Sequence, residues 1–416
     1  MLSAPRQFGE WRRAAFASSL HGIRHPGRDH PPNLTGVWLP FRLRMARLTT
    51  TAPKSGSVEK PLTAAPASLR SFGSHIPLRK VRAVTLRTPY LLFIGDAHDQ
   101  LAAKTAAGIA FWRPEICLGQ LRMPGCKADL QLPDMTIEEA AAAGVKTVVV
   151  GTTTRGGVLG QGWEGLLVRA LELGMDLASG LHHRLSDITV LRETASRLGR
   201  QIADVRHPSR EFEIGNGKKR PGKRLLTVGT DCSIGKMFTA LALEKEMRAR
   251  GLKADFRATG QTGIFIAGDG VSIDAVVSDF VSGAVEWLSP ANDPDHWDLI
   301  EGQGSLFHAS YAGVSLGLIH GAQPDALVMC HEPTRKHMRG LPHYRLPDLR
   351  HCIERNIEAA QLTNPAVRCI GLSINTASLD PAAARDYLRE TEDRLGLPCV
   401  DPVRSGVRAI INHLLD

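Results

Sequence analysis

From Tyr90 onward, short apolar runs alternate with longer segments whose apolar residues recur at helical spacing. Runs such as Lys146–Val150 and Arg224–Val228 are rich in β-branched and aliphatic residues and stop at a glycine, which predicts buried strands. Segments such as Trp163–Leu173 and Pro381–Leu395 predict amphipathic helices. Strands that alternate with helices predict an α/β fold with mainly parallel sheets.

The same pattern predicts the other elements. The predicted strands are Tyr90–Ile94, Ala254–Ala258, Asp298–Ile300, Ala326–Met329, Val367–Ser373 and Pro398–Val400. The predicted helices are Gln100–Trp112, Glu138–Ala143, Leu191–Leu198, Gly235–Arg250, Leu349–Gln361 and Val407–Leu415.

The polar, glycine-rich stretch Ile214–Arg224 interrupts this alternation and predicts a domain boundary. We therefore expect one α/β domain over residues 89–217 and a larger, doubly wound α/β domain over residues 218–416. Residues 1–88 lack a lasting apolar period and are rich in Arg, Pro, Ser and Thr. This composition predicts a disordered extension. Its excess of Arg over acidic residues is typical of organelle transit peptides, but we favour a plain tail, or a translation start further in, for example at Met45.

The charge of the chain is unevenly distributed. The 416 residues include 51 Lys and Arg against 42 Asp and Glu, a formal net charge of +9. Residues 1–88 hold 15 of the basic and three of the acidic residues, so the remaining chain has a net charge of −3. Aromatic residues make up only 5% of the chain. The folded part is thus not predicted to bind nucleic acid, which needs a basic face.

The cysteines and the lengths of the apolar runs bear on the compartment. The seven cysteines are scattered and form no C-x-x-C pair, so we expect neither a disulfide framework nor a zinc site. No apolar run approaches the ~18 residues of a membrane span. These features predict a cytoplasmic protein without a membrane partner, and they are compatible with a homo-oligomer.

The segment Leu225–Met237 carries the strongest chemical signal. A predicted strand runs into a turn that contains glycine, and Gly235-Lys236 then opens a predicted helix. Backbone N–H groups, the positive end of a helix and a lysine form a cradle for phosphate. The predicted cofactor-binding residues are Gly229, Thr230, Asp231, Cys232, Ser233, Ile234, Gly235, Lys236 and Met237.

This segment departs from the standard G-x-x-x-x-G-K-[ST] pattern at two positions. Thr230 stands at the first glycine position, and Met237 stands where a Ser or Thr hydroxyl would bind Mg²⁺. A loop without that hydroxyl is poorly equipped for Mg²⁺-assisted phosphoryl transfer but can still hold a phosphorylated cofactor.

Two resemblances follow from these residues. GTDCSIGK at 229–236 together with IEGQG at 300–304 resembles the dethiobiotin synthetase group of P-loop enzymes. A closer resemblance, to the D-glutamate N-acetyltransferase (DgcN-like) family, covers nearly all of the chain after the extension. The segments that carry it are Leu92–Glu115, Gly151–Trp163, Gly229–Met237 and Asp298–Gly313.

The second resemblance implies a Rossmann-like N-terminal domain and a P-loop NTPase-like C-terminal domain. It also implies acetyl-CoA as the donor and an acidic D-amino acid, D-glutamate, as the acceptor, in D-amino-acid catabolism. Acyl transfer to an amine needs a general base, for which the loops after predicted strands offer Glu301, His308 and Asp269. An acidic acceptor needs cations, for which Arg155 and Arg335 are the candidates.

Alternative functions remain open at this point. The first resemblance implies an ATP- and Mg²⁺-dependent ligase or carboxylase, and a nucleotide-sensing module without catalysis would use the same loop. Gly313–Gly317 fits the G-x-S-x-G pattern of serine hydrolases, but its surroundings predict a helix, so Ser315 is not predicted as a nucleophile. No metal ligands are predicted, because the spacing from His331 to His337 does not match H-E-x-x-H.

Overall fold

The computed structural model describes residues 86–152, 159–208 and 210–416. All but the last three residues of the predicted extension therefore lie outside the described residues. Arg155, one of the two predicted substrate-binding cations, also lies outside them.

The first domain is built on five parallel strands in the order β2-β1-β3-β4-β5. The strands are β1 Tyr90–Gly95, β2 Cys117–Arg122, β3 Thr147–Val150, β4 Asp176–Ser179 and β5 Ile202–Asp204. The accompanying helices are α1 Lys104–Trp112, α2 Ile137–Ala142, α3 Trp163–Glu172 and α4 Thr189–Leu198.

Both faces of this sheet are buried. Leu92 and Ile94 of β1 pack into one apolar cluster, while Leu91 and Phe93 pack into another. Successive side chains of a strand point to opposite faces, so each cluster covers one face. This is the arrangement that an all-parallel sheet requires.

The second domain contains a six-stranded parallel sheet in the order β13-β12-β9-β6-β8-β7. Its strands are β6 Lys223–Gly229, β7 Ala254–Arg257, β8 Trp297–Ile300, β9 Ala326–His331, β12 Arg368–Ile374 and β13 Cys399–Val400. Its helices are α5 Lys236–Ala249, α6 Gln261–Ala267, α7 Val281–Leu288, α8 Ala312–Ala322, α9 Leu349–Gln361, α10 Pro381–Leu395 and α11 Arg408–Leu415.

An antiparallel hairpin, β10 His337–Met338 and β11 Leu341–Arg345, is inserted after β9. None of the helices in the described ranges combines the length and the apolar character needed to span a membrane. The predicted α/β fold with mainly parallel sheets is confirmed. The two large sheets lie on either side of the predicted boundary, because β5 ends at Asp204 and β6 begins at Lys223.

The two domains are joined by a shared apolar core. Helix α1 packs on α6, and one apolar cluster contains Ile109 of the first domain and Ile264 of the second. The Tyr90 hydroxyl donates to the carbonyl of Phe265 at 3.3 Å, and Arg113 donates to the carbonyl of Ile266 at 2.9 Å. These contacts fix the first domain beside the carboxyl edge of the second sheet, where ligands bind in open α/β folds.

Candidate active site

The loop between β6 and α5 is shaped to bind an anion. Ser233 and Gly235 adopt positive φ angles of 53° and 106°, and Gly235 directly precedes the 14-residue helix α5. The N–H groups of residues 233–237 donate to no acceptor in the part of the chain that the structure describes. Unpaired N–H groups at the positive end of a helix have the geometry to accept an anion.

Lys236 adds a buried positive charge to this loop. Its side chain is 7% exposed, and Nζ donates to the carbonyl of Asp231 at 2.7 Å. Burial lowers the pKa of Lys236, because the charged ammonium is largely removed from water. An anion bound at the loop would stabilise the charged form of Lys236.

Only some of the nine predicted cofactor-binding residues line a cavity. Cys232 to Met237 line a cavity, whereas Thr230 and Asp231 are fully buried. Thr230 pairs through its hydroxyl with Nδ1 of His331 at 3.0 Å. Thr230 and Asp231 are thus part of the interior that the loop packs on and do not line the cavity.

Glu301 lies at the end of β8, beside the phosphate loop, and lines the same cavity. Its side chain is 5% exposed, and Oε2 accepts the N–H groups of Thr259 at 3.0 Å and Gly260 at 3.1 Å. Burial raises the pKa of Glu301 to about 7, although these two hydrogen bonds act in the opposite direction. A carboxyl group with a pKa near 7 can exchange a proton at neutral pH, which suits a general base.

Two glycines allow Glu301 to occupy this position. A Cβ atom at Gly263 would lie 2.3 Å from Oε2 of Glu301. A Cβ atom at Gly302 would lie 1.7 Å from the carbonyl oxygen of Thr227 in β6. The loop after β8 can therefore approach β6 and α6 closely only because these residues have no side chain.

The cavity beside Glu301 has a volume of about 860 Å³ and is lined by both domains. Residues from the first domain include Lys104, Gly108, His182 and Arg206, which face the phosphate loop and Glu301 of the second. Arg206 donates to Asp274 at 2.6 Å and to Gln261 at 2.8 Å, so its charge is already paired. A cavity of this size has room for a small substrate together with part of a cofactor.

The structure does not bring every predicted catalytic residue to this cavity. His308 is 1% exposed, and its Nε2 donates to the carbonyl of Arg339 at 3.0 Å, while its Nδ1 accepts the N–H of Ser310 at 3.2 Å. Asp269 follows the far end of α6 and accepts the N–H of Gly270. Neither residue lines the cavity, so Glu301 is the predicted base that does.

Arg335, the predicted substrate-binding cation that the structure describes, does not line the cavity either. Its Nη1 donates to Oδ2 of Asp231 at 2.8 Å and to the carbonyl of Cys232 at 2.7 Å, and Nε contacts Glu332 at 3.2 Å. These contacts of Arg335 with Asp231 and Cys232 therefore stabilise the phosphate loop. A buried ion pair is invisible in the sequence because its partners are 104 residues apart.

Lys104 and Arg339 line the cavity but carry no signal in the sequence. Lys104 looks like an ordinary solvent-facing position at the start of a helix. Arg339 lies in the turn of the hairpin β10–β11, which the apolar pattern does not predict. Only the packing of the two domains brings these two cations to the same space.

A second cavity of about 530 Å³ also touches the phosphate loop. It shares Gly235, Phe238 and Asn375 with the first cavity and extends to Asp401 and Arg404.

A five-stranded parallel sheet of order 2-1-3-4-5 joined to a six-stranded parallel sheet that carries a phosphate-loop-like turn, with a shared cavity between them, defines a two-domain α/β protein. The chain belongs to the DUF1611 family. Residues 121–208 match the Rossmann-like domain DUF1611_N, and residues 213–411 match the P-loop domain DUF1611_C, both described as domains of unknown function.

Relatives match along most of the chain. A protein from Tritonibacter scottomollicae named D-glutamate N-acetyltransferase is 56% identical over 329 residues, which is 79% of this chain and 99% of that protein. A protein of the same name from Pseudoalteromonas is 50% identical over the same extent. The resemblance to the D-glutamate N-acetyltransferase family is thus confirmed.

A solved structure shares the architecture. The crystal structure of a DUF1611 family protein from Anabaena variabilis has a TM-score of 0.71 and 31% sequence identity, and the match covers 79% of this chain and 99% of that one. The combination of a Rossmann-like domain and a P-loop domain is therefore a property of the family.

The phosphate loop leads to a first prediction. Replacing Lys236 with Ala should raise the Kd for CoA at least about tenfold, since the ammonium group would no longer face the phosphates. Isothermal titration calorimetry measures this change. Lys245→Ala is the matched control, because Lys245 is exposed on the same helix. An unchanged Kd in Lys236→Ala would contradict the assignment of the phosphate loop.

Proposed function

We propose that this protein transfers the acetyl group of acetyl-CoA to the amino group of D-glutamate. The observation that carries the proposal is the buried carboxyl group of Glu301, with a pKa of about 7, at a cavity that the phosphate loop also lines. The names of the relatives supply the substrate: proteins that are 56% and 50% identical are called D-glutamate N-acetyltransferase.

The phosphate loop suits CoA better than ATP as its ligand. CoA carries a pyrophosphate and a 3′-phosphate that only need to be bound, whereas transfer of a phosphoryl group relies on Mg²⁺. The N–H groups of residues 233–237 and Lys236 meet the first requirement. Met237 does not meet the second, because a thioether is a poor ligand for Mg²⁺.

Acetyl-CoA supplies an activated acetyl thioester. The amino group of an amino acid is mostly protonated at neutral pH and becomes a nucleophile only when a proton is removed. We assign this step to the carboxylate of Glu301. The amine nitrogen then forms the new C–N bond and the C–S bond breaks. The proton that this nitrogen must still lose passes to the departing sulfur, so CoA leaves as the thiol, and Glu301 releases the proton it took to solvent.

A coupled assay tests the proposal against its alternatives. The protein is incubated with acetyl-CoA and a panel of D- and L-amino acids, and the released thiol is measured with and without ATP and Mg²⁺. We expect thiol release with D-glutamate and no requirement for ATP. Release of ADP that depends on Mg²⁺ would instead indicate a ligase of the dethiobiotin synthetase type, and binding without either product would indicate a sensing module.

The pKa of Glu301 predicts the pH dependence of this activity. Because burial raises this pKa to about 7, the base is protonated and inactive below that pH. The acid limb of kcat/KM should therefore fall about tenfold per pH unit below about pH 7. A pH–rate profile that stays flat down to the ordinary pKa of a glutamate would rule out Glu301 as the base.

The same proposal extends to the cellular role. Acetylation of D-glutamate in the cytoplasm, as a step in the use of D-amino acids, requires a small-molecule acceptor and no macromolecular partner.

A further inference from the structure

The hairpin β10–β11 places Arg339 at the cavity through two buried contacts. The backbone N–H of Arg339 donates to Oδ2 of Asp231 at 2.8 Å, and its carbonyl accepts a hydrogen bond from Nε2 of His308 at 3.0 Å. Asp231 is fully buried and His308 is 1% exposed. Both backbone polar groups of Arg339 are therefore held by side chains from the loops after β6 and β8, while Arg339 itself lines the cavity.

Lys104 faces the same cavity from the first domain, where it begins helix α1. Partial burial lowers the pKa of Lys104, and the nearby positive charge of Arg339 lowers it further. Two like charges that face one space repel each other and would be stabilised by an anion between them. No carboxylate of the described residues pairs with either side chain, whereas Arg206 already pairs with Asp274.

We propose that Lys104 and Arg339, brought together from the two domains, bind the carboxylates of the amino-acid acceptor. The inference rests on the proposed function, since it assigns residues to the acceptor of that reaction. A dicarboxylic amino acid carries two anionic groups, and removing them from water requires cations that hydrogen-bond to them. Lys104 and Arg339 provide this pair beside Glu301, which would receive the proton from the amino group.

The donor's phosphates are the other anions that could reach these cations. The phosphate loop already offers Lys236 and a row of N–H groups to them. Lys104 belongs to the opposite domain, so we assign Lys104 and Arg339 to the acceptor. The experiment distinguishes these two ligands by measuring the KM for the acceptor and the Kd for CoA separately.

The buried contacts give His308 and Asp231 a part as positioning residues. They touch the backbone of Arg339 and do not line the cavity themselves. A change at His308 should therefore affect acceptor binding more than the rate of the bound complex.

The test combines steady-state kinetics with calorimetry on the full chain. Lys104→Met and Arg339→Gln should each raise the KM for D-glutamate at least about tenfold, while the Kd for CoA stays within about twofold of wild type. The matched controls are Lys146→Met and Arg345→Gln, which are exposed, lie outside the cavity, and should leave both constants unchanged. An unchanged KM, or a raised Kd for CoA instead, would overturn the inference.

Binding of glutarate, a dicarboxylate without an amino group, is measured separately because it does not depend on turnover. Wild type should bind glutarate, and both variants should bind it at least about tenfold more weakly. If wild type bound glutarate with this dependence yet acetylated nothing, the proposed function would fail and the binding assignment would stand. If wild type acetylated D-glutamate while the variants bound glutarate normally, only the assignment would fail.

His308 is tested by the split between KM and kcat. His308→Leu should raise the KM for D-glutamate with little change in kcat, because it removes the donor that holds the Arg339 carbonyl. His308→Gln keeps an N–H donor and should restore part of the lost affinity. Equal loss of kcat in both variants would contradict a positioning role.

Discussion

Replacing Glu301 with Gln should lower kcat for acetyl transfer by about 10²–10⁴-fold, the usual contribution of a general base. The amide oxygen can still accept the N–H groups of Thr259 and Gly260, so the loop keeps its hydrogen bonds. The amide cannot take a proton from the acceptor. Steady-state kinetics at saturating acetyl-CoA measures the loss.

The stability of this variant separates a catalytic from a structural effect. Burial raises the pKa of Glu301 from its ordinary value of 4.5 to about 7 in the folded protein. The free energy of unfolding therefore falls as the pH rises from 4.5 to about 7, because ionisation of the buried carboxyl group is disfavoured. A neutral amide removes this cost, so Glu301→Gln should not lower the thermal midpoint at pH 7 or above.

Glu244→Gln is the matched control. Burial also raises the pKa of Glu244, and its Oε1 accepts the N–H of Phe256 at 3.0 Å, but Glu244 lines neither cavity. It should leave kcat near wild type. If Glu301→Gln kept wild-type turnover, or if Glu244→Gln lost as much, Glu301 would not be the base.

Replacing Gly302 with Ala should lower the free energy of unfolding by about 1–3 kcal/mol or more. The new Cβ would meet the carbonyl oxygen of Thr227 at 1.7 Å. The position of a Cβ is set by its own backbone and the Thr227 oxygen is a backbone atom, so neither atom can rotate away. The loop must move, and it would carry Glu301 out of the cavity, so turnover should fall as well. Urea denaturation and steady-state kinetics measure the two effects.

Gly313→Ala provides the comparison. Gly313 lies in helix α8, and no atom would lie within 4 Å of its Cβ, so alanine should leave stability unchanged or raise it by up to about 1 kcal/mol. If Gly302→Ala were as stable as wild type, the loop after β8 would not be packed against β6 as tightly as this distance indicates.

Much of the fold follows from the sequence because its strongest patterns are local. The helices Leu349–Gln361 and Pro381–Leu395 have the predicted bounds. Asp348 and Asp380 cap them by accepting backbone N–H groups of the first turn. The central strand β6 exceeds its predicted range by one residue at each end.

The missed elements have weak local patterns. Strand β4 begins with Asp176, which is buried because it pairs with Arg87 and accepts the N–H of Gln201. A charged first residue and only four residues in all give no strand signal. Helix α1 begins at Lys104, not at the predicted Gln100; the residues before it form a turn in which Asp99 accepts the N–H of Ala102.

The sequence predicts only those parts of the site whose functional residues lie together in one segment of the chain. The phosphate loop and Glu301 each follow a strand and lie near each other because β6 and β8 are neighbours in the sheet. Lys104 and Arg339 meet through the packing of two domains, and the ion pair of Arg335 with Asp231 joins distant parts of the chain. Contacts between residues that are far apart in the chain leave no pattern in the sequence around either residue.

Acetyl transfer at the cavity between the two domains can be followed through both of its products. The most direct measurement incubates the wild-type protein with acetyl-CoA and D-glutamate without ATP, and quantifies N-acetyl-D-glutamate by NMR beside the free CoA thiol. We predict equal amounts of both products, with both formed at least about 100-fold more slowly in Glu301→Gln. Thiol release without an acetylated amino acid, or acetylated product formed at the wild-type rate in Glu301→Gln, would contradict acetyl transfer at this site.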